Sequence, residues 1–372
     1  FQAEDGIRDS VASRGLGDVY KRQTYGMALF SNVESSMRII IEKFTILVCA
    51  LSIVGCRSDE AAESEIIDNA GSIERLDPRL DTLVPADANI QKLAGGFTFT
   101  EGPVWDKRKN LLYFSDVRDN TIYSWNENEG VNVFIQPVFA EETDHPSVGS
   151  NGLTLDSEGH LILMEHGYRR VSRLEATGER RTLASNYRGN RLNSPNDVAG
   201  HTNGWLYFTD PPYGLAGLEN DPARELDYNG IYRLSPEGEI QLLERNQTRP
   251  NGIVFSPDEE TLYVANSDAE NKVWYAYTVI HGIIGNPRVF YDVNDQAGEG
   301  AADGMKVDIE GNIFATGPGG VWIFDPDGTH LGTIKPSEVP ANVAWGDDGS
   351  TLYMTARTGL YRIRLNTSGE IP

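Results

Sequence analysis

The sequence predicts an all-β chain that folds as a six-bladed β-propeller over residues 88–372. Two observations lead to this fold class: one sequence pattern recurs six times from residue 101 onwards, and every copy is built from short β-type runs separated by turns. A third observation agrees with them, because no segment of the repeat region has the apolar spacing of a long amphipathic helix.

Each copy of the pattern begins with a polar residue, continues into an apolar run, turns at a D-x-x-G-type sequence and ends in a second run of the LYFSD kind. The copies start 39 to 55 residues apart, which suits one four-stranded blade per copy. The copies are EGPVWDKRKNLLYFSD from 101, NGLTLDSEGHLILMEH from 151, NDVAGHTNGWLYFTD from 196, NGIVFSPDEETLYVAN from 251, DGMKVDIEGNIFATG from 303 and NVAWGDDGSTLYMTA from 342.

Strand character is visible within and after each copy. β-Branched and aromatic residues alternate with small ones, and further strands enter Gly-containing hairpins in TIYSWNENEG, GIYRLSPEGEIQLLE and GVWIFDPDGTHLGTI. The remaining strand, ANIQKLAGGFTFT over residues 88–100, is expected to close the ring by completing the blade whose inner strands come from the sixth copy.

Composition narrows the classes of function. The 372 residues carry 32 basic and 55 acidic side chains, a formal net charge of -23, which argues against nucleic acid as a partner. The two cysteines, Cys49 and Cys56, lie close to the N-terminus, so the repeat region has no thiolate metal site and no cysteine nucleophile. Its chemistry must use oxygen or nitrogen groups.

The N-terminal residues read as segments outside the fold. Residues 1–36 are predicted to be non-native read-through or untranslated sequence, because residues 1–23 resemble translated sequencing-adapter sequence; a natural disordered tail is the alternative. Residues 37–56, with Met37 as the start, have a charged head and a short apolar run and resemble a bacterial lipoprotein signal peptide.

In this interpretation Cys56 is lipidated and anchors an exported protein to a membrane, facing the periplasm, and residues 57–87 form a flexible tether. An ordinary signal peptide cut nearby is the alternative. Membrane contact is expected only through this anchor.

The first residues of the six copies form the candidate site. If the copies are equivalent, these residues face the central channel from one end, and all six carry a side-chain oxygen. A ring of carboxylate and amide oxygens without His or Cys favours a hard cation, Ca²⁺ above Mg²⁺, with other divalent cations and a merely polar channel as alternatives. The six residues are Glu101, Asn151, Asn196, Asn251, Asp303 and Asn342.

In the third copy, the sequence SPNDV at 194–198 places two polar residues, Asn196 and Asp197, where a strand is expected to begin. Ser194 and Pro195 are typical of a turn. Alignment with the other copies assigns Asn196 to the ring, and Asp197, one step further along a strand of period two, is expected to point away from it.

These motifs resemble the family of senescence-marker protein, gluconolactonase and luciferin-regenerating enzyme, over about residues 90–366. The resemblance is carried by EGPVW at 101–105, NSPNDV at 193–198, YFTDPPYG at 207–214, RPNGI at 249–253 and ADGMKVD at 302–308, and EHGYRRVSR at 165–173 is similar to the bacterial gluconolactonase branch. It implies a calcium-dependent six-bladed propeller that hydrolyses a small-molecule lactone.

The resemblance also implies roles for individual residues. Metal ligation falls on Glu101, Asn196, Asn251 and Asp303, and the general acid/base role falls on Asp303, with a purely structural ligand as the alternative. Asn151 and Asn342 become pocket or outer-layer residues. The vertebrate branch has an arginine where this chain has Ser194, so sugar specificity does not carry over.

Substrate contacts are predicted for Asn151, His166, Asn193 and Tyr213. His166 follows the inner strands of the second copy and either reaches the pocket mouth or packs elsewhere. Asn193 and Tyr213 lie in loops near Asn196, where turn structure is the alternative explanation.

The leading prediction is a lactonase acting on a sugar lactone by polarisation of the carbonyl at the metal and acid/base catalysis by Asp303. A phosphotriesterase-like hydrolase using the same metal site is the second candidate. A non-catalytic lipoprotein whose propeller binds a ligand, with a structural metal, is the third.

Overall fold

The computed structural model describes residues 66–372, and almost all regular structure in that range is β-strand. The described part of the chain begins with elements that precede the first repeat. They are β1 (Gly71–Arg75), the short helix α1 (Leu80–Leu83) and β2 (Ile90–Ala94).

Four sheets of four antiparallel strands follow in chain order and form blades 1 to 4. Blade 1 contains β3 (Thr100–Asp106), β4 (Leu111–Asp116), β5 (Thr121–Asn126) and β6 (Gly130–Ile135). Blade 2 contains β7 (Ser150–Leu155), β8 (Leu161–Glu165), β9 (Arg170–Leu174) and β10 (Arg180–Ala184). A separate hairpin of β11 (Asn186–Tyr187) and β12 (Asn190–Arg191) precedes blade 3. Blade 3 contains β13 (Val198–Gly200), β14 (Leu206–Asp210), β15 (Gly230–Leu234) and β16 (Ile240–Glu244). A 3₁₀ turn at Leu218–Asn220 lies between β14 and β15. Blade 4 contains β17 (Pro250–Phe255), β18 (Thr261–Asp268), β19 (Asn271–Ile280) and β20 (Ile283–Asp292).

The last two blades combine both ends of the repeat region. Blade 5 contains β21 (Met305–Val307), β22 (Ile313–Gly317), β23 (Gly320–Phe324) and β24 (His330–Pro336), and blade 6 contains β25 (Pro340–Gly346), β26 (Thr351–Ala356) and β27 (Gly359–Arg364). β2 supplies the fourth strand of blade 6 by pairing with β27, so the predicted closing strand is confirmed. The innermost strands contact one another in ring order, which makes the domain a six-bladed β-propeller.

The N-terminal boundary of the propeller differs from the sequence prediction. β1 pairs with β24 from Gly71 opposite Pro336 to Arg75 opposite Gly332, and therefore adds a fifth strand to blade 5. The predicted tether over 57–87 is thus wrong from Gly71 onwards, because residues 71–87 are built into the fold.

Six clusters of buried apolar side chains hold the blades together, one between each pair of neighbouring blades. Trp105 of blade 1, for example, stacks on Tyr353 of blade 6 with ring centroids 5.4 Å apart. Large aromatic side chains fill the wedge between two twisted sheets well, since each removes a large apolar area from water.

The predicted read-through over 1–36, the signal peptide over 37–56 and the lipidated Cys56 lie outside the described residues. Within residues 66–372, the helices are too short and too polar to span a membrane.

Candidate functional site

The six polar residues predicted to face the axis all lie at the same end of an innermost strand. Each is in the strand, or precedes it by two residues, near the start of β3, β7, β13, β17, β21 or β25. Asp303 is half-buried and the other five side chains are at most 6% exposed. The structure therefore places every member of the predicted ring inside the propeller.

Direct contacts join members of the ring that come from neighbouring blades. Asn151 Nδ2 donates to Asn196 Oδ1 at 2.8 Å, and Asn196 Nδ2 donates to Asn251 Oδ1. On the other side, Asn342 Nδ2 donates to Glu101 Oε2 at 3.2 Å. Hydrogen bonds thus fix the ring side chains of blades 2, 3 and 4 to one another, and those of blades 6 and 1 to each other.

Acidic groups dominate the electrostatics of this ring. Burial, and then repulsion from Asp197, raises the pKa of Glu101 to about 8. Burial, and then the charges of Glu101 and Asp197, raises the pKa of Asp303 well above its ordinary value. The charge of Lys306 opposes the increase in pKa at Glu101 and Asp197. Three carboxylates near one ammonium group favour the binding of a further cation.

The donor atoms suit a hard divalent cation. Every ring member offers oxygen, and Asp303 Oδ1 and Asn151 Oδ1 are buried without a hydrogen-bond partner. An amide oxygen has two lone pairs, so Asn196 and Asn251 can accept their present hydrogen bonds and still face a cation. The ring therefore fits the predicted kind of metal by ligand chemistry.

Asp197 does not point away from the ring, contrary to the sequence prediction. It is 3% exposed, and its Oδ2 lies 3.5 Å from Nδ2 of Asn342, which belongs to the opposite blade. The strand β13 begins only at Val198, so Asn196 and Asp197 precede it and the alternation of a regular strand does not apply to them.

A glycine after four of the ring residues allows the innermost strands to approach closely. A Cβ atom added at Gly102 would lie 2.0 Å from the carbonyl oxygen of Asn151, and one added at Gly252 would lie 2.2 Å from that of Asp303. Neighbouring backbones occupy the space that a side chain would need. The narrow spacing of the ring thus depends on these glycines.

Polar residues at the end of the second strand anchor the segments that carry the ring residues, and sequence reasoning missed two of them, Asp116 and Asn266. Asp116 accepts from the backbone N–H groups of Thr98 and Phe99, just before Glu101. Asp210 does the same in blade 3 and Asn266 in blade 4. Their signal was present in the repeated endings LYFSD, LYFTD and LYVAN.

Burial raises the pKa of Asp210 to about 7 even though its two oxygens accept from the N–H groups of Asn193 and Ser194 at 2.8 Å. Asn193 is therefore held in a structural turn. Its Nδ2 donates to the carbonyl oxygens of Asp210 and Tyr228 at 3.0 and 2.9 Å, which gives the side chain a positioning role in this turn. The substrate contact of Asn193 stays a prediction.

His166 and Tyr213 both lie beside the ring. His166 is 1% exposed, its ring lies next to the Asn196 side chain, and burial lowers its pKa to about 4. The Tyr213 hydroxyl group lies 2.5 Å from Ser267 Oγ, which also accepts from Asn251 Nδ2 at 3.2 Å. Both residues therefore lie next to ring members, and their contact with a substrate stays a prediction.

Arg169 supports the loops above the site from within. It is 4% exposed and donates to the carbonyl oxygens of Leu192, Asn193 and Ala223 at 2.7 to 3.1 Å. The guanidinium group thereby ties together loops that come from three segments of the chain.

A separate acidic group lies away from the axis, in the hairpin between β7 and β8. Asp156, Glu158 and His160 have ligand atoms within 4.8 Å of one another. Asp156 Oδ1 accepts from the N–H groups of Glu158 and His160 at 2.9 and 2.8 Å, which is the hydrogen bonding expected of the predicted D-x-x-G turn. The sequence prediction did not place a metal there.

Comparisons with known proteins agree with this fold. Residues 99–358 match the family described as the SMP-30/gluconolactonase/LRE-like region. A gluconolactonase of Zymomonas mobilis is 37% identical over 80% of this chain and 87% of that protein. A pentonolactonase of Haloferax volcanii is 29% identical over 70% of this chain and 81% of that protein. A gluconolactonase structure from Xanthomonas campestris superimposes with a TM-score of 0.72 at 29% identity, covering 82% of this chain and 99% of that one.

Proposed function

Because the chain belongs to the SMP-30/gluconolactonase/LRE-like family, we propose that it is a lactonase that hydrolyses a sugar lactone. The observation that carries the proposal is the ring of six oxygen-bearing side chains at the propeller axis, in a chain 37% identical to a gluconolactonase. Pentonolactonase similarity supports the same class of substrate.

We assign metal ligation to Glu101, Asn196, Asn251 and Asp303, and favour Ca²⁺ because it accepts several carboxylate and amide oxygens in an irregular cage. The contacts among Asn151, Asn196 and Asn251, and the unpartnered Oδ1 of Asp303, support this assignment. When bound, the cation would polarise the lactone carbonyl group.

Asp303 moves the proton in the proposed reaction. Its pKa is raised without metal, and a bound cation would favour the carboxylate form. In that form the buried Oδ1, which has no hydrogen-bond partner, can accept a proton from water while the water oxygen bonds to the carbonyl carbon. The ring C–O bond then breaks, and Asp303 returns the proton to the leaving ring oxygen. The product is the open-chain hydroxy acid, and the carboxylate of Asp303 is regenerated.

Other side chains hold the substrate and the ring in place. Tyr213 can direct its hydroxyl group towards the substrate while Ser267 fixes its orientation at 2.5 Å. Asn151 Oδ1 is buried without a hydrogen-bond partner, and the His166 ring lies next to the Asn196 side chain, so we assign contacts with substrate hydroxyl groups to both. Asn342 holds Glu101 by the 3.2 Å hydrogen bond.

The test measures proton release from gluconolactone by the purified protein, before and after chelation and after calcium is restored. We expect activity to vanish with the chelator and return with Ca²⁺. Asp303→Asn should lower kcat by about 10²- to 10⁴-fold while calcium binding, measured by calorimetry, persists. The exposed Asp295→Asn serves as the charge-matched control and should behave as the wild type.

Each alternative gives a different result. Unchanged lactone hydrolysis by calcium-loaded Asp303→Asn would exclude the acid/base role. Metal-dependent hydrolysis of a phosphotriester without lactone hydrolysis would support the phosphotriesterase-like candidate. Calcium binding with neither activity would support a ligand-binding propeller.

The proposed cellular location is a membrane surface facing the periplasm, with the propeller attached through lipid at Cys56. The support is the sequence pattern of residues 37–56 alone.

A further inference from the structure

The connection between β14 and β15, residues 211–229, lies at the end of the propeller that carries the ring. β14 runs antiparallel to β13, so its last residue, Asp210, lies at the same end as the start of the innermost strands. The N–H of Gly214 donates to Ser194 Oγ at 2.8 Å. The connection 211–229 is therefore fixed beside the segment that leads to Asn196.

Tyr213, near the start of this connection, joins it to the ring residue Asn251. Its hydroxyl group lies 2.5 Å from Ser267 Oγ, and Ser267 Oγ accepts from Asn251 Nδ2 at 3.2 Å. The guanidinium group of Arg249 lies 5.9 Å from the centroid of the Tyr213 ring. Arg249 precedes Asn251 by two residues, and its carbonyl oxygen accepts from the N–H of Ser267 at 2.9 Å. A cationic side chain is thus held at the ring end of blade 4, against a tyrosine that lies beside the site.

A carboxylate from the same connection neutralises this cation. Arg249 Nε donates to Glu219 Oε1 at 2.8 Å and Nη2 donates to Oε2 at 3.1 Å, so two hydrogen bonds join the charged groups. Glu219 lies in the 3₁₀ turn Leu218–Asn220, and Arg224 Nη1 donates to its carbonyl oxygen at 3.3 Å. The Arg249 and Glu219 side chains are 26% and 34% exposed. An ion pair with this much exposure adds little to stability, and both groups are open to a molecule that enters from solvent.

We propose that the pair of Glu219 and Arg249 makes the site select uncharged sugar lactones over lactones with an anionic group at the end away from the carbonyl. This inference rests on the proposed function and adds the charge of the substrate to it. A guanidinium group is a strong bidentate partner for phosphate or carboxylate, but here both of the N–H groups that form the pair are occupied. An anionic substituent would have to displace Glu219, whose charge would then repel it. A hydroxymethyl group at the same place needs no ionic partner, so Glu219 is a specificity-determining residue.

The experiment compares kcat/KM for δ-gluconolactone with that for its 6-phosphate, two substrates that differ only in the phosphate group. The wild-type protein should prefer the unphosphorylated lactone by about 10-fold or more. Glu219→Gln frees the guanidinium group, and should raise the ratio of phosphorylated to unphosphorylated kcat/KM by about 10-fold or more, mainly through a lower KM for the phosphate. Glu219→Ala should give the same increase, and adding Arg249→Met to either variant should abolish it.

Glu237→Gln is the charge-matched control, because Glu237 is exposed in the hairpin between β15 and β16 of the same blade as Glu219. It should change the ratio by less than about twofold, since solvent ions screen a distant surface charge. An increase as large as that of Glu219→Gln would overturn the inference, because net charge alone would then explain the preference.

Two other results would overturn the inference. One is a wild-type protein that hydrolyses the phosphorylated lactone as efficiently as δ-gluconolactone. The other is an unchanged ratio in Glu219→Gln or Glu219→Ala protein that has the wild-type melting temperature. If δ-gluconolactone is hydrolysed and the ratio does not respond, only the role of the ion pair fails. If the wild-type protein hydrolyses neither lactone, the proposed function fails and this inference fails with it.

Discussion

Replacing Gly252 by alanine tests whether the close approach of innermost strands sets the spacing of the ring. The added Cβ would lie 2.2 Å from the carbonyl oxygen of Asp303 and 2.7 Å from Cα of Gly304. Both neighbours are backbone atoms, so no side-chain rotation relieves the overlap. Blades 4 and 5 must separate by about 1 Å at this point to restore an ordinary contact distance.

The expected losses follow from this displacement. Asp303 moves with its backbone, away from Asn251, and a misplacement of about 1 Å in a catalytic group costs about 100-fold in kcat/KM. Overpacking of this kind also lowers the free energy of unfolding by about 1 to 3 kcal/mol. Calcium affinity should fall as well, because both residues are proposed ligands.

The assay is lactone hydrolysis at saturating calcium, with the calcium Kd and the melting temperature measured on the same preparations. Gly285→Ala in β20 is the matched control from the same blade, since a Cβ there would meet no atom within 4 Å. The control should retain full activity and a free energy of unfolding within about 0.5 kcal/mol of the wild type. Wild-type kcat/KM in folded Gly252→Ala protein would refute the link between strand spacing and ligand geometry.

Three further predictions concern packing, pH and export. Thr209→Val removes the 2.8 Å hydrogen bond from Oγ1 to the carbonyl oxygen of Asn251, and should cost about 1 kcal/mol in denaturant unfolding and weaken calcium binding; unchanged values for both would exclude this link between blades. Without metal, the free energy of unfolding should fall as pH rises from about 6.5 to 8, because the folded state keeps the Glu101 proton up to a pKa of about 8 whereas the unfolded state loses it near 4.5. Below pH 6.5 the lowered pKa of His166 opposes this slope, since the unfolded state then binds the imidazole proton more tightly. Stability that rises between about pH 6.5 and 8 in a chelator would contradict the reasoning, and calcium should remove the slope. Cys56→Ser should abolish labelling by radioactive palmitate in a bacterial host and release the protein from membranes, and continued labelling would rule out lipid attachment at that residue.

Repeat analysis predicted the blades and the ring because both depend on local sequence. Each innermost strand needs a polar residue, an apolar run and a turn at fixed offsets, and these recur in all six copies. Asp197 was misplaced because the prediction applied strand alternation to a residue that precedes β13. A register argument of this kind holds only within the paired part of a strand.

Other features depend on contacts between distant segments, which a single sequence does not reveal. β1 was predicted as tether because GSIER is the outermost strand of its blade and four of its five residues are exposed, so it carries no buried alternation. The positioning role of Asn193 was not predicted, because the partners of its amide group come from residues 210 and 228.

The two N-terminal strands also determine when the propeller can be completed during synthesis. β1 can pair only after Pro336 and its neighbours in β24 have been synthesised, and β2 only after Ile363 in β27. Blades 1 to 4, in contrast, pair only strands that are close in sequence. Contacts over such separations form late, because the entropy of closing a long loop must be overcome first. A growing chain therefore carries two unpaired strands until residues 332–336 and 360–363 have been synthesised, and we expect hydrogen exchange during refolding to protect blades 5 and 6 last.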